Sequence, residues 1–224
     1  MRMRRKKHLD ERLALCGEYV ITPKSEEKNI NLANQYKQYL PLDEIFEKEA
    51  PLYLEIGCGK GGFACEFARL NPDINLLAVE KTANVLVSAA ESAQKMALKN
   101  VKFLSCPAEY LPAYLKKNSV ERIFLNFSCP FPKKKYAAHR LTAPRFLDIY
   151  KGLMTNDAEI HQKTDNAGLF EFSIENLSAA GFALKNVSLN LHASDFQGNI
   201  ITEYESRFIS EGKPIYRLEA YFKK

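Results

Sequence analysis

The densest chemistry in this chain lies where an acid runs into a cluster of glycines. Residues Leu52–Phe63 read Leu-Tyr-Leu-Glu-Ile-Gly-Cys-Gly-Lys-Gly-Gly-Phe. Glycine suits backbone that must turn at positive φ, or that passes too close to a ligand for a Cβ. Gly57, Gly59 and Gly62 satisfy G-x-G-x-x-G, and Glu80 follows about twenty residues on, the spacing of a dinucleotide site. Glu55 argues for another ligand. A carboxylate two residues before the first glycine repels a pyrophosphate, but suits a nucleotide-like cofactor that is positively charged at that point. Glu80 is of the type that accepts both hydroxyl hydrogen bonds of a ribose, although a surface strand end carries an acid just as readily.

A second stretch runs Asn126-Phe127-Ser128-Cys129-Pro130-Phe131-Pro132-Lys133-Lys134-Lys135. Two prolines stiffen the backbone, Phe131 between them can stack a base, and the lysines can hold phosphates. His139, Arg140 and Arg145 continue the positive charge; a plain exposed basic turn is the alternative. Thr164-Asp165-Asn166 supplies a further acid beside a residue suited to cap a helix. Glu203 and Glu205 flank Tyr204 after Thr202, at a helix start where acids are favoured in any case. Cys129 lacks an adjoining base, which argues against a nucleophilic thiol.

These residues need a scaffold that puts turns at one end of a sheet. Leu52–Ile56 reads as a buried strand, and Phe63–Leu70 as the helix after the glycine turn. Strands follow at Asn75–Glu80, Val101–Ser105, Glu121–Phe127 and Ala158–Thr164. Helices alternate with them at Asn84–Leu98, Ala108–Leu115, Phe146–Met154 and Leu169–Ala179, the last closed by Gly181. Phe182–Leu189 and Ile215–Phe222 form a final strand pair, with a helix over Thr202–Ile209 between them. The expected fold is α/β, a doubly wound, seven-stranded, mostly parallel sheet with helices on both faces. Ligands of such sheets bind beyond the carboxyl ends of the strands.

The chain has 224 residues, enough for one domain, and 46% of them are hydrophobic. Residues 51–224 are read as that domain and residues 1–50 as an N-terminal arm and lead-in. The arm, Met-Arg-Met-Arg-Arg-Lys-Lys-His, repels itself and should be disordered in isolation; nucleic-acid binding and simple solvation account for it equally well. The lead-in has a strand-like Tyr19–Thr22 and crosses the domain without a core of its own. Net charge is +5 and the isoelectric point about 8.8, compatible with a polyanionic partner. The five cysteines form no C-x-x-C pair, so neither a metal site nor a disulfide framework is indicated, and a reducing cytoplasm fits. No apolar run is long enough for a membrane span, and no apolar segment follows the basic start.

Glu55-x-Gly-x-Gly with an acid after the next strand resembles the S-adenosylmethionine site of class I, Rossmann-like methyltransferases. Leu-Asn-Phe-Ser-x-Pro-x-Pro-Lys-Lys, Arg140-Leu141, Phe146-Leu147, Thr164-Asp165-Asn166, Leu169-Phe170-Glu171 and Thr202-Glu203-Tyr204-Glu205 together resemble the bacterial tRNA (guanine-N7)-methyltransferases, from about residue 52 onward. The resemblance implies methylation of guanine 46 in the tRNA variable loop, S-adenosylmethionine as cofactor, tRNA as partner, and a monomer or homodimer. It implies that Glu55, Gly57, Gly59, Glu80 and Lys81 bind the cofactor, joined by Pro107, Ala108, Asn126 and Cys129. Phe131, Lys133, Arg140, Asp165 and the segment Thr202, Glu203, Tyr204 and Glu205 would bind the substrate. Three residues depart from the family pattern. Cys129 stands where an aspartate assigned to catalysis is usual, Phe131 where a tryptophan is usual, and Pro107 where the acid near the adenine is usual. N7 of guanine has a free lone pair, so no base must first remove a proton; alignment and stabilisation of the charge on the ring are what the reaction requires. With Cys129 at the catalytic position, Asp165 and Glu205 remain as carboxylates, and loss of one such partner costs on the order of 10²–10³ in rate. A tRNA-binding paralogue with lost or weakened catalysis is the rival reading, and an NAD(P)-dependent oxidoreductase the third.

Overall fold

The computed structural model describes residues 5–23 and 29–222; residues 1–4 of the basic arm lie outside them. The chain forms two compact units, one ending at Tyr114 and the other beginning at Leu115.

The first unit opens with α1 (Leu9–Leu15), β1 (Val20–Ile21), α2 (Ile30–Gln35) and α3 (Leu42–Ile45). It continues with β2 (Leu52–Ile56), α4 (Gly62–Leu70), β3 (Asn75–Val79), α5 (Ala83–Lys95) and β4 (Val101–Leu104), then a 3₁₀ turn, Ala108–Tyr110, and α6 (Leu111–Tyr114). Its strands lie in the order β1-β4-β3-β2, every adjacent pair parallel. Parallel strands covered on both faces read as unbroken apolar runs, and all five residues of β3 are buried. Between β2 and β3 the register is direct, Glu55 opposite Ala78 and Ile56 opposite Val79. Phe63, Ala64, Cys65, Phe67 and Ala68 form the buried face of α4, and Leu86, Val87, Ala89, Ala90 and Ala93 that of α5.

Among its described residues the lead-in holds three short helices and a strand. Arg12 on α1 donates twice to Glu91 of α5, at 2.6 and 2.7 Å. The Gln94 amide donates to the Leu15 carbonyl at 2.9 Å. Past α2, the Gln38 and Leu40 amides donate to the Ala113 and Tyr114 carbonyls. The strand-like segment is β1, which adds an outer strand beside β4, Val20 opposite Phe103. It makes eight strands among the described residues where seven were expected.

The second unit holds β5 (Val120–Asn126), α7 (Pro144–Leu153), β6 (Met154–Thr164), α8 (Ala167–Ala179), β7 (Ala183–Ser188), α9 (Glu203–Ser210) and β8 (Tyr216–Tyr221), with 3₁₀ turns at Lys134–His139 and Leu191–Ala193. Its strand order is β5-β6-β8-β7, β5 parallel to β6 and β8 antiparallel to both neighbours. α7 begins two residues before its first apolar residue because Pro144 takes the first-turn position, where its missing N–H costs nothing. β6 is longer than its apolar core suggests: Met154 pairs with Val120, and the ladder slips before Glu159. The fold is α/β, Rossmann-like and mostly parallel. No helix among the described residues is long and apolar enough to cross a membrane.

Candidate functional site

The glycine turn is built on the ends of β2 and β3. The N–H groups of Gly57 and Cys58 both donate to the Val79 carbonyl, at 2.8 and 3.1 Å, which folds the chain back over the end of β3. Gly57, Gly59 and Gly61 have φ of 82°, 57° and 77°. Gly61 is fixed by packing as well: a Cβ there would lie 2.5 Å from Ala89 Cβ and 3.0 Å from Ala89 Cα. A Cβ on Gly59 would meet nothing within 4 Å. The first close approach is thus between turn and helix, and the second leaves open space above the backbone.

Two carboxylates frame that turn. Glu55, the fourth residue of β2, is 2% exposed. Glu80, directly after β3, is half-buried and accepts from the Gly59 N–H at 3.3 Å and the Thr82 N–H at 2.9 Å. Lys81 beside it is exposed. Cys58, inside the turn, is buried; desolvation first, then Glu55 and Glu80, push its thiol well above the ordinary range, so it stays protonated and inert. Beyond β4, Pro107 is exposed and extended, and Ala108 is buried at the start of the 3₁₀ turn. Burial pushes the neighbouring Cys106 thiol up to about 12.

The proline loop of the second unit leaves β5 at Asn126, which is buried. Phe127 and Phe131 have positive φ, 49° and 40°. A left-handed conformation costs a residue with a side chain roughly 1–2 kcal/mol, so both must be held by their surroundings. The Phe127 N–H donates to the Lys163 carbonyl at 2.8 Å, and its ring stacks on Phe208 with centroids 6.1 Å apart. At Phe131 the restraint is Arg140: Nε donates to the Pro130 carbonyl at 2.9 Å and Nη2 to the Phe131 carbonyl at 3.1 Å. The Arg140 guanidinium also lies 4.5 Å from the Phe172 ring centroid. Cys129, Lys133, Lys134 and Lys135 are exposed. The Phe131 ring lies 5.7 Å from that of His139.

Asp165 is half-buried just past β6, next to Asn166, whose side chain caps α8 by accepting from Leu169 N–H at 2.8 Å. The segment before α9 is organised from inside. Glu205 is 0% exposed. One of its oxygens accepts from Lys163 Nζ at 2.7 Å; the other accepts from Asn199 at 2.6 Å and lies 3.2 Å from His192 Nε2. Lys163 Nζ also donates to Asn199 Oδ1 and the Ile200 carbonyl, each at 2.9 Å. Thr202 caps α9 through the Glu205 N–H at 3.1 Å. Glu205, expected as a catalytic and substrate-facing carboxylate, is therefore committed to an internal ion pair. A charge this deep is stable only when paired. Glu203 and Tyr204 are exposed, Tyr204 at 63%. Sequence reasoning missed Lys163, His192 and Asn199; β6 is polar along much of its length, so Lys163 did not stand out within it.

Glu159, His161 and Glu219 form an acidic cluster with the spacing of a metal site. Its acceptors are engaged by cations: Glu159 pairs with Lys185 and, at 3.3 Å, with Arg122, while Glu219 pairs with Arg217 and accepts from Asn186 at 2.7 Å. The arrangement is an ion-pair network across β6, β7 and β8.

A family model described as "Putative methyltransferase" matches residues 49–218. A tRNA (guanine-N(7)-)-methyltransferase of Bacillus cytotoxicus is 39% identical over 223 residues, covering 100% of this chain and 98% of that protein. One from Streptococcus agalactiae is 41% identical over 222 residues, 99% and 100% of the two chains. One from Staphylococcus epidermidis is 45% identical over 183 residues, 82% and 85%. Among solved structures, the 16S rRNA methyltransferase KamB superposes with a TM-score of 0.64 at 16% identity, over 84% of this chain and 96% of that one. A SAM-dependent methyltransferase from Aquifex aeolicus does so with a TM-score of 0.55 at 17% identity, over 87% and 98%; both likenesses are of fold. With near-complete coverage at about 40% identity, the chain belongs to the tRNA (guanine-N(7)-)-methyltransferase family.

Proposed function

We propose that this protein methylates N7 of guanine in tRNA, at position 46 of the variable loop, using S-adenosylmethionine. The observation that carries the cofactor half is the turn itself. Gly59 leaves its backbone open to a close ligand, and Glu80 is already anchored by the N–H groups of Gly59 and Thr82 with acceptor capacity for two hydroxyls. Glu55, buried at the end of β2, supplies negative charge beside the same turn, which suits a sulfonium-bearing ligand and disfavours a pyrophosphate. The residues present therefore fit the cofactor. Pro107 offers no acidic acceptor for an adenine, leaving backbone groups around Ala108 for that task. When bound, S-adenosylmethionine supplies an electrophilic methyl group.

On the substrate side, the chain's task is to align N7 and to stabilise the positive charge that develops on the ring. Phe131 provides a stacking face, Lys133 and its neighbours phosphate contacts, and Asp165 a half-buried carboxylate for the base. Glu205 acts from within, as a positioning residue that fixes Thr202 and Tyr204. Cys129 contributes bulk without charge, and so weakens catalysis relative to an aspartate there.

The test is incubation of the protein with unmodified tRNA and S-adenosylmethionine, followed by nucleoside analysis. 7-Methylguanosine confined to the variable loop is expected. Tight tRNA binding without product identifies a binding paralogue and overturns the enzymatic reading.

A further inference from the structure

The sequence offered Arg140 as one more cation for RNA, and the proline loop gives it a different occupation. Its guanidinium nitrogens donate to two consecutive carbonyls, Pro130 and Phe131, while its plane lies over Phe172 of α8. Only a planar, forked cation can make both bonds and the ring contact together. What it grips is the bend at which Phe131 takes φ of 40°, a conformation unfavourable for an aromatic residue. Prolines on both sides of Phe131 remove two backbone donors, so the bend draws its hold from its carbonyls. Lys133, Lys134 and Lys135, by contrast, are exposed, where a phosphate can reach them.

We propose that Arg140 is a positioning residue for methyl transfer, which locks the Pro130–Phe131 bend and thereby fixes the Phe131 ring, and is not itself a phosphate contact. The proposal rests on the reading of this loop as the substrate-facing one. A misplacement of about 1 Å costs on the order of 10²-fold in rate, so the signature should be in kcat.

Four full-length proteins distinguish the roles: wild type, Arg140→Lys, Arg140→Ala and Lys133→Ala. If Arg140 is the clamp, Arg140→Lys keeps its charge yet loses kcat by roughly 10–100-fold, nearly as much as Arg140→Ala. The slope of log tRNA affinity against log salt stays at the wild-type value in both, and millimolar guanidinium restores part of the rate of Arg140→Ala. Lys133→Ala lowers that slope by roughly one contact. A lysine variant with near-normal kcat, or an alanine variant whose salt slope drops, overturns the proposal. Hydrogen exchange over residues 127–135 should rise in both Arg140 variants whether or not product forms. A wild-type protein that makes no 7-methylguanosine would end the functional reading while leaving the clamp measurable; unchanged exchange in the variants would end the clamp alone.

Discussion

Gly59 and Gly61 sit two residues apart in one turn, both left-handed, and differ in what surrounds them. At Gly61 a methyl group collides with Ala89 of α5, so Gly61→Ala combines overpacking with backbone strain. It should lower stability by about 2–4 kcal/mol in urea unfolding. At Gly59 the added methyl meets no protein atom, and Gly59→Ala should lose only about 1 kcal/mol. Its effect should appear as at least tenfold weaker S-adenosylmethionine binding by calorimetry. Equal effects of the two variants on stability would contradict the assignment of one glycine to packing and the other to the ligand. The spacing of the glycines was legible in the sequence because each backbone need is local. Which glycine answers to Ala89 was not, since that contact joins residues far apart in the chain.

At the scale of elements, the end of β6 governs how the segment before α9 is held. Lys163 reaches Asn199, Ile200 and Glu205, tying the segment before α9 and the first turn of that helix to one ammonium. Removing one partner of a buried pair leaves the other charge unsatisfied, at a cost of about 3–5 kcal/mol. Glu205→Ala should lose that much in urea unfolding and raise hydrogen exchange over residues 195–210. Replacing both partners, with Lys163→Met and Glu205→Leu, should recover much of the stability without recovering exchange protection. Wild-type protection in Glu205→Ala would show that the pair does not organise the segment. The sequence placed a helix over Thr202–Ile209 and Glu205 near its start, as observed within a residue. It offered Glu205 as a catalytic and substrate-binding carboxylate, or simply as an acid favoured at a helix start, because a partner forty-two residues upstream leaves no local trace.

At the scale of the whole molecule, acid should act through the network on β6, β7 and β8. Burial opposes ionisation of Glu159, but its bonds to Lys185 and His161 outweigh that and hold the carboxyl below the ordinary range. Glu219 behaves alike: burial is overcome by Arg217, His161 and Asn186. His161 is shifted down, first by burial and then, against the pull of Glu159, by Arg122. For all three groups the unfolded chain binds protons more readily than the folded one, so stability rises with pH. The histidine part is complete above about 6.5 and fades below it, and the carboxylate part is lost as pH falls through the lowered values of Glu159 and Glu219. Urea midpoints should therefore decline from pH 7 to pH 4, and His161→Gln should flatten the portion between about 6.5 and 5; an unaltered slope in that variant would exclude His161 as its source. By itself the sequence determined the order of strands and helices, the glycine turn with its two acids, and the family, because apolar periodicity, turn residues and motif spacing are written locally along the chain. Only the tertiary structure decided that residues 5–23 and 29–50 add helices and a strand to the first unit, that Glu205 faces inward to Lys163, and that Arg140 grips a bend. Each of those depends on contacts between residues distant in sequence, whose partners are chosen by burial and charge pairing once the sheet has formed.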